Sequence, residues 1–137
     1  MSITGQITGR CHCGAITYIA DGTHEHHAVC HCTDCRRWSG APLVGWIAFH
    51  ADQVSVAGTP ASYASSEHGV REFCANCGTG LFYRNAAVLP GIVDIQSGTL
   101  DAPQDHAPGA QIMCKEKLPW VDSIATLPAF ATYPGMD

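Results

Sequence analysis

Apolar positions along this chain come in short runs separated by glycine, proline and polar clusters. The runs at 14–20 (GAITYIA), 43–50 (LVGWIAFH), 53–58 (QVSVAG), 70–75 (VREFCA), 80–85 (GLFYRN), 91–98 (GIVDIQSG) and 110–115 (AQIMCK) are rich in β-branched and aromatic residues. Each is therefore predicted to be a strand. No long window sustains a helical period. The segment TDCRRWSG (33–40) predicts one helical turn closed by Gly40, and TLPAFATYP is too broken by proline for a long helix. The expectation is a mainly β chain, one domain over 1–137. Short antiparallel sheets would pack as a sandwich or barrel, with few or no long helices.

Composition narrows the class. Apolar residues make up 46% of the 137 positions and charged residues 14%, with no low-complexity tract, which is a globular balance. No apolar run reaches the ~20 residues a membrane-spanning helix needs. The start MSITGQITGR lacks a basic segment followed by an apolar one, so no secretory signal is expected and the chain is placed in the cytoplasm. The net charge of −5, with seven Lys and Arg and no basic run, argues against a nucleic-acid partner.

Eight cysteines change the picture most. Disulfides are disfavoured in a reducing compartment, and close clustering suits metal better than long-range stapling. Cys74 and Cys77, in CANCG, have the spacing of a zinc knuckle, with Gly78 allowing the tight turn. A redox dithiol is the alternative, but that motif favours a helix start. Cys11 and Cys13, in CHCG, would share a face by strand alternation and can complete a four-cysteine site with Cys74 and Cys77. Cys30, Cys32 and Cys35 then remain, in CHCTDC. Three thiolates can hold zinc and leave one coordination position for a ligand. Alternatively, a histidine or Cys114 completes a second structural site. Spacing does not say which clusters meet.

Arg36 and Arg37 follow the third of these cysteines and could hold a carboxylate in a bidentate fork, or form surface ion pairs. Trp38 reads as packing. His12 and His31, between ligand cysteines, should point away from the sulfurs. HEHH (24–27) reads as an exposed polar turn, and Cys114 as a buried small hydrophobe. His50, His68 and His106 carry no signal.

The segments GRCHCGAITY (9–18), CHCTDCRRWSG (30–40), FCANCGTGLFY (73–83), SGTLD (97–101) and KLPW (117–120) resemble, in order, those of the glutathione-dependent formaldehyde-activating enzyme family, which also contains centromere protein V. The resemblance implies a tent of β-sheets with two zinc sites. Cys11, Cys13, Cys74 and Cys77 would be structural; Cys30, Cys32 and Cys35 would form the catalytic, three-thiolate site. It also implies a carbon–sulfur lyase reaction, the condensation of formaldehyde with glutathione to S-hydroxymethylglutathione. Gln111 departs from the pattern, standing where members often carry a histidine. Two alternatives are a non-catalytic zinc module that binds a small thiol or a protein partner, and an enzyme like the methionine-sulfoxide reductases. The latter needs Cys114 as nucleophile and leaves Cys30, Cys32 and Cys35 unexplained.

Overall fold

The computed structural model describes residues 5–136. Its strands form two sheets. The smaller pairs β1 (Gln6–Arg10), β2 (Thr17–Asp21) and β5 (Val54–Ala57) antiparallel. The larger runs in the order β10 (Ala110–Ile112), β3 (His26–Cys30), β4 (Val44–His50), β9 (Leu89–Gln96), β8 (Gly80–Asn85), β7 (Gly69–Phe73), β6 (Ala61–Ala64). All its pairings are antiparallel except β10 with β3. One α-helix, α1 (Thr33–Ser39), and several 3-10 turns complete the described chain. Gly40 ends α1 in the left-handed region at φ 72°, its N–H donating to the Arg36 carbonyl at 2.7 Å. That is the stop the sequence predicted.

The central strand β4 shows why the long apolar run at 43–50 does not alternate. Ile47 and Phe49 enter a core with Tyr18 and Ala20 of β2, Phe82 of β8, and Val93 and Ile95 of β9. Val44 and Trp46 face the other way and pack with Cys30 and Cys35. Both faces of the strand are covered, so both are apolar. Strand β2, which has one buried face, keeps Tyr18 and Ala20 inside and leaves Ile19 exposed.

Several expectations are corrected. Strands β1, β3 and β6 went unpredicted, because QITGR, HHAVC and ASYA are weakly apolar and owe their pairing to neighbours. HEHH is an exposed turn only in part: His24 and Glu25 are exposed and outside any strand, whereas His26 and His27 open β3 and His27 is buried between β10 and β4. The strand expected at 110–115 stops at Ile112, where Met113 takes φ 56° and starts a 3-10 turn. Cys114 lies in that turn and is exposed, so it is not a core residue.

Gly9 sits opposite Tyr18 in the β1–β2 register. A Cβ there would fall on the Tyr18 hydroxyl and lie 2.6 Å from the Thr99 carbonyl. That hydroxyl is hydrogen-bonded to Thr99 Oγ1 at 2.7 Å in a packed interior. Gly9→Ala is therefore expected to destabilise the fold by about 1–3 kcal/mol, read as a lower denaturant midpoint at unchanged slope.

Candidate metal centres and the pocket beside them

Cys11, Cys13, Cys74 and Cys77 bring their sulfurs within 4.8 Å of one another. Cys11 directly follows Arg10, the last residue of β1, and a turn follows in which Gly14 takes φ 83°. The sulfurs of Cys11 and Cys13 thus converge through this turn, not through strand alternation as expected. The second pair uses Gly78 at φ 82°, whose N–H donates to the Cys74 carbonyl at 2.8 Å. Tetrahedral zinc with Zn–S bonds of ~2.3 Å places its sulfurs about 3.8 Å apart. The Cys11–Cys13 and Cys13–Cys74 sulfurs are 3.7 and 3.8 Å apart, so the donor set fits the ion. The Thr79 hydroxyl, 3.2 Å from Cys77 Sγ, is the main cause that holds that thiol down at about 5.

Cys30 ends β3, Cys32 caps α1, and Cys35 lies in its first turn. Their sulfurs also lie within 4.8 Å of one another, and among the described residues no fourth His, Cys, Asp or Glu joins them. The Cys35 N–H donates to Cys32 Sγ at 3.2 Å. The thiol of Cys30, hydrogen-bonded to Cys35, lowers the Cys35 pKa, and the same bond raises that of Cys30. Cys35 is thus the sulfur that ionises first, which suits a metal ligand.

A cavity of about 560 Å³ opens over these sulfurs, walled by Trp46, Tyr83, Leu89 and Ile112. The strand register sets Arg71, Tyr83, Asp94, Ala48 and His26 in one row across β7, β8, β9, β4 and β3. Arg71 and Asp94 line the cavity, and both are buried. Arg71 is the residue that sequence reasoning missed. Its Nη1 and Nη2 both donate to Cys35 Sγ at 3.8 Å, and its guanidinium lies 4.8 Å from the Tyr83 ring centre and 5.4 Å from that of Trp38. A lone arginine in GVREF resembles any cross-strand surface arginine. Only the partial alternation of that run, with Glu72 turned outward to pair with Arg84 at 2.7 Å, hints at an inward Arg71.

Arg71 places a positive charge beside Cys35 Sγ and orients that sulfur. Replacing it with glutamine is expected to weaken metal binding at the three-cysteine site by about 10–100-fold. Competition against a chromogenic chelator measures this; an unchanged affinity would show Arg71 to be packing alone.

Arg36 and Arg37 do not line this cavity. They border a separate hollow with Gly40, Pro42, Leu118 and Trp120, and Arg36 donates to Thr33 Oγ1 at 3.2 Å. Trp38 packs against Gly80, as expected of a packing residue. His12 is exposed, whereas His31 is fully buried with its Nε2 3.0 Å from Gln111 Oε1. Lys117 donates to that same oxygen at 2.9 Å. Gln111 therefore ties β10 to His31, between Cys30 and Cys32.

Burial raises the Asp94 carboxyl to about 6, opposed in part by the charge of His26 and helped by that of Cys35. A carboxyl that holds its proton longer in the native state than in the unfolded chain stabilises the fold at low pH. That stability is lost as pH rises from about 4 to 6. Asp94→Asn is thus expected to exceed the parent in stability at pH 7 by up to about 3 kcal/mol, a gap that closes as pH falls towards 4. Denaturation midpoints of the two proteins across that range check the sign.

Residues 6–116 match the family described as glutathione-dependent formaldehyde-activating enzyme. A curated relative from Schizosaccharomyces pombe (strain 972 / ATCC 24843), named an uncharacterized lyase, is 36% identical over 75 residues, which are 55% of this chain and 55% of that protein. The chain thus matches about half the length of that relative. The crystal structure of a Rhodobacter sphaeroides protein shares the fold at a TM-score of 0.58 and 20% identity, over 76% of this chain and 98% of that one.

Proposed function

The chain belongs to the glutathione-dependent formaldehyde-activating enzyme family, and on that premise we propose that it is a carbon–sulfur lyase joining a thiol to an aldehyde carbon over Cys30, Cys32 and Cys35. The thiol is glutathione and the aldehyde formaldehyde, as the family name suggests. The observation that carries the reading is the pairing of a closed four-cysteine set with a three-cysteine set that opens onto a cavity. A set with four protein donors is complete and structural; one with three has room for an exogenous ligand. The all-sulfur donors of both sets suit zinc.

Zinc bound at the three-cysteine set would act as a Lewis acid and keep an incoming thiol ionised at neutral pH. Three thiolates against one dication leave a net charge of −1 there, and the buried Arg71 guanidinium beside Cys35 offsets it. Trp46, Tyr83, Leu89 and Ile112 make an apolar wall that limits water around the reacting atoms. In the reaction the substrate sulfur bonds to the carbonyl carbon, the C=O π pair moves to oxygen, and the thiol proton ends on that oxygen. Nothing is oxidised or reduced, so no further cofactor is required.

The test is the rate of hydroxymethyl thioether formation from ¹³C-formaldehyde and glutathione, followed by NMR with and without the zinc-loaded protein. Acceleration supports the reading. Glutathione binding with only the uncatalysed rate would replace the enzyme with a thiol-binding zinc module.

A further inference from the structure

Asp94 lies on β9 between Val93 and Ile95. Those two fill the core, so alternation turns Asp94 to the opposite face, where it lines the cavity over Cys30, Cys32 and Cys35. It is only 6% exposed. Among the described residues none hydrogen-bonds to its Oδ1, and none forms an ion pair with it. Arg71 shares the cavity, but its two amino groups are turned to Cys35 and its Nε, also without a partner, does not reach Asp94. In the same cross-strand row Ala48 stands between Asp94 and His26, so His26 acts on the carboxylate through its charge and supplies no hydrogen bond. Asp94 is also outside the sulfur cluster that could ligate a metal.

A buried carboxylate without a donor is costly, and native proteins rarely leave one. One placed in a cavity is explained by a ligand that brings the missing donor. The cavity's other charged residues narrow the ligand. Asp34 and Glu116 are acidic, and Arg71 is the one cation among the lining residues. Glu116 already accepts the Thr33 N–H at 2.7 Å, which leaves Asp94 as the buried acceptor still to be filled.

We propose that Asp94 receives the ammonium group of the thiol substrate, so that the cavity selects thiols bearing an ammonium over thiols bearing only a carboxylate. This rests on the thiol reading above. A simple aminothiol such as cysteamine carries that ammonium three bonds from its sulfur, without any carboxylate to offset.

The experiment titrates cobalt-loaded protein at neutral pH with three thiols of similar size: cysteamine, 2-mercaptoethanol and 3-mercaptopropionate. The thiolate-to-cobalt absorption reads binding directly, apart from any turnover. Cysteamine is expected to saturate at a concentration about tenfold below 2-mercaptoethanol, as a charge-assisted hydrogen bond allows, with 3-mercaptopropionate weakest. In Asp94→Asn the ratio of cysteamine to 2-mercaptoethanol midpoints should fall to about one. Equal midpoints for the three thiols, or a cysteamine preference that survives in Asp94→Asn, would overturn this assignment and leave the thiol reading standing. No spectral change with any thiol would overturn both.

Discussion

Replacing Cys74 with serine is expected to lower the melting temperature by about 15 °C or more and to release zinc from the four-cysteine site. Structural zinc supplies about 10 kcal/mol or more of folding energy in small zinc domains, while a whole domain holds only about 5–15 kcal/mol in reserve. Cys74 is fully buried in the core, and its sulfur is 3.8 Å from that of Cys13. The site joins the end of β1 to the turn after β7 across the interior. Losing one donor therefore unties two distant parts of the fold at once. Cys114→Ser is the matched control. Cys114 is exposed and outside both sulfur clusters, so its loss should shift stability by no more than about 0.5 kcal/mol. Thermal melts with zinc counted per chain decide the matter. A Cys74→Ser protein that melts with the parent and keeps its zinc would sink the structural assignment.

Replacing Cys35 with serine should have the opposite profile: adduct formation falls about a hundredfold or more, while the melt shifts far less than in Cys74→Ser. Cys35 is the buried sulfur that Arg71 contacts, and it borders the cavity. Its cluster lies outside the main core, with Val44 and Trp46 for company. The substitution removes a donor from a set that has three and none to spare. Rate and metal content, measured on the same sample, test this. A parent-like rate from a variant that has lost its metal at this site would show that the chemistry does not run there.

The two profiles reflect how differently the two sites were written into the chain. The turn at Gly14 was hidden because CHCG reads as extended, whereas Gly78, in the left-handed region beside Cys74 and Cys77, makes the tight turn that local spacing announces. Gly40 likewise closes α1 where the sequence placed the stop. Strands with apolar content of their own, such as β2 and β4, were legible for the same reason. Strand β3 was not, because His26 and His27 gain their place from β4 and β10 on either side. Cys114 misled because AQIMCK looks extended until Met113 turns the backbone at φ 56°.

By itself the sequence determined which side chains can ligate metal, the turn that aims Cys74 and Cys77, and a mainly β chain. Those depend on residue type and spacings of a few positions, which local backbone geometry governs. Only the tertiary structure decided that Cys13 meets Cys74 across 61 positions and that Arg71 meets Cys35 across 36. It alone kept Arg36 and Arg37 out of the lining of the cavity and set Asp94 over the three sulfurs. The places of Arg71 and Asp94 follow from the register of β7, β8, β9, β4 and β3, and register is a property of paired strands that no single stretch of chain contains.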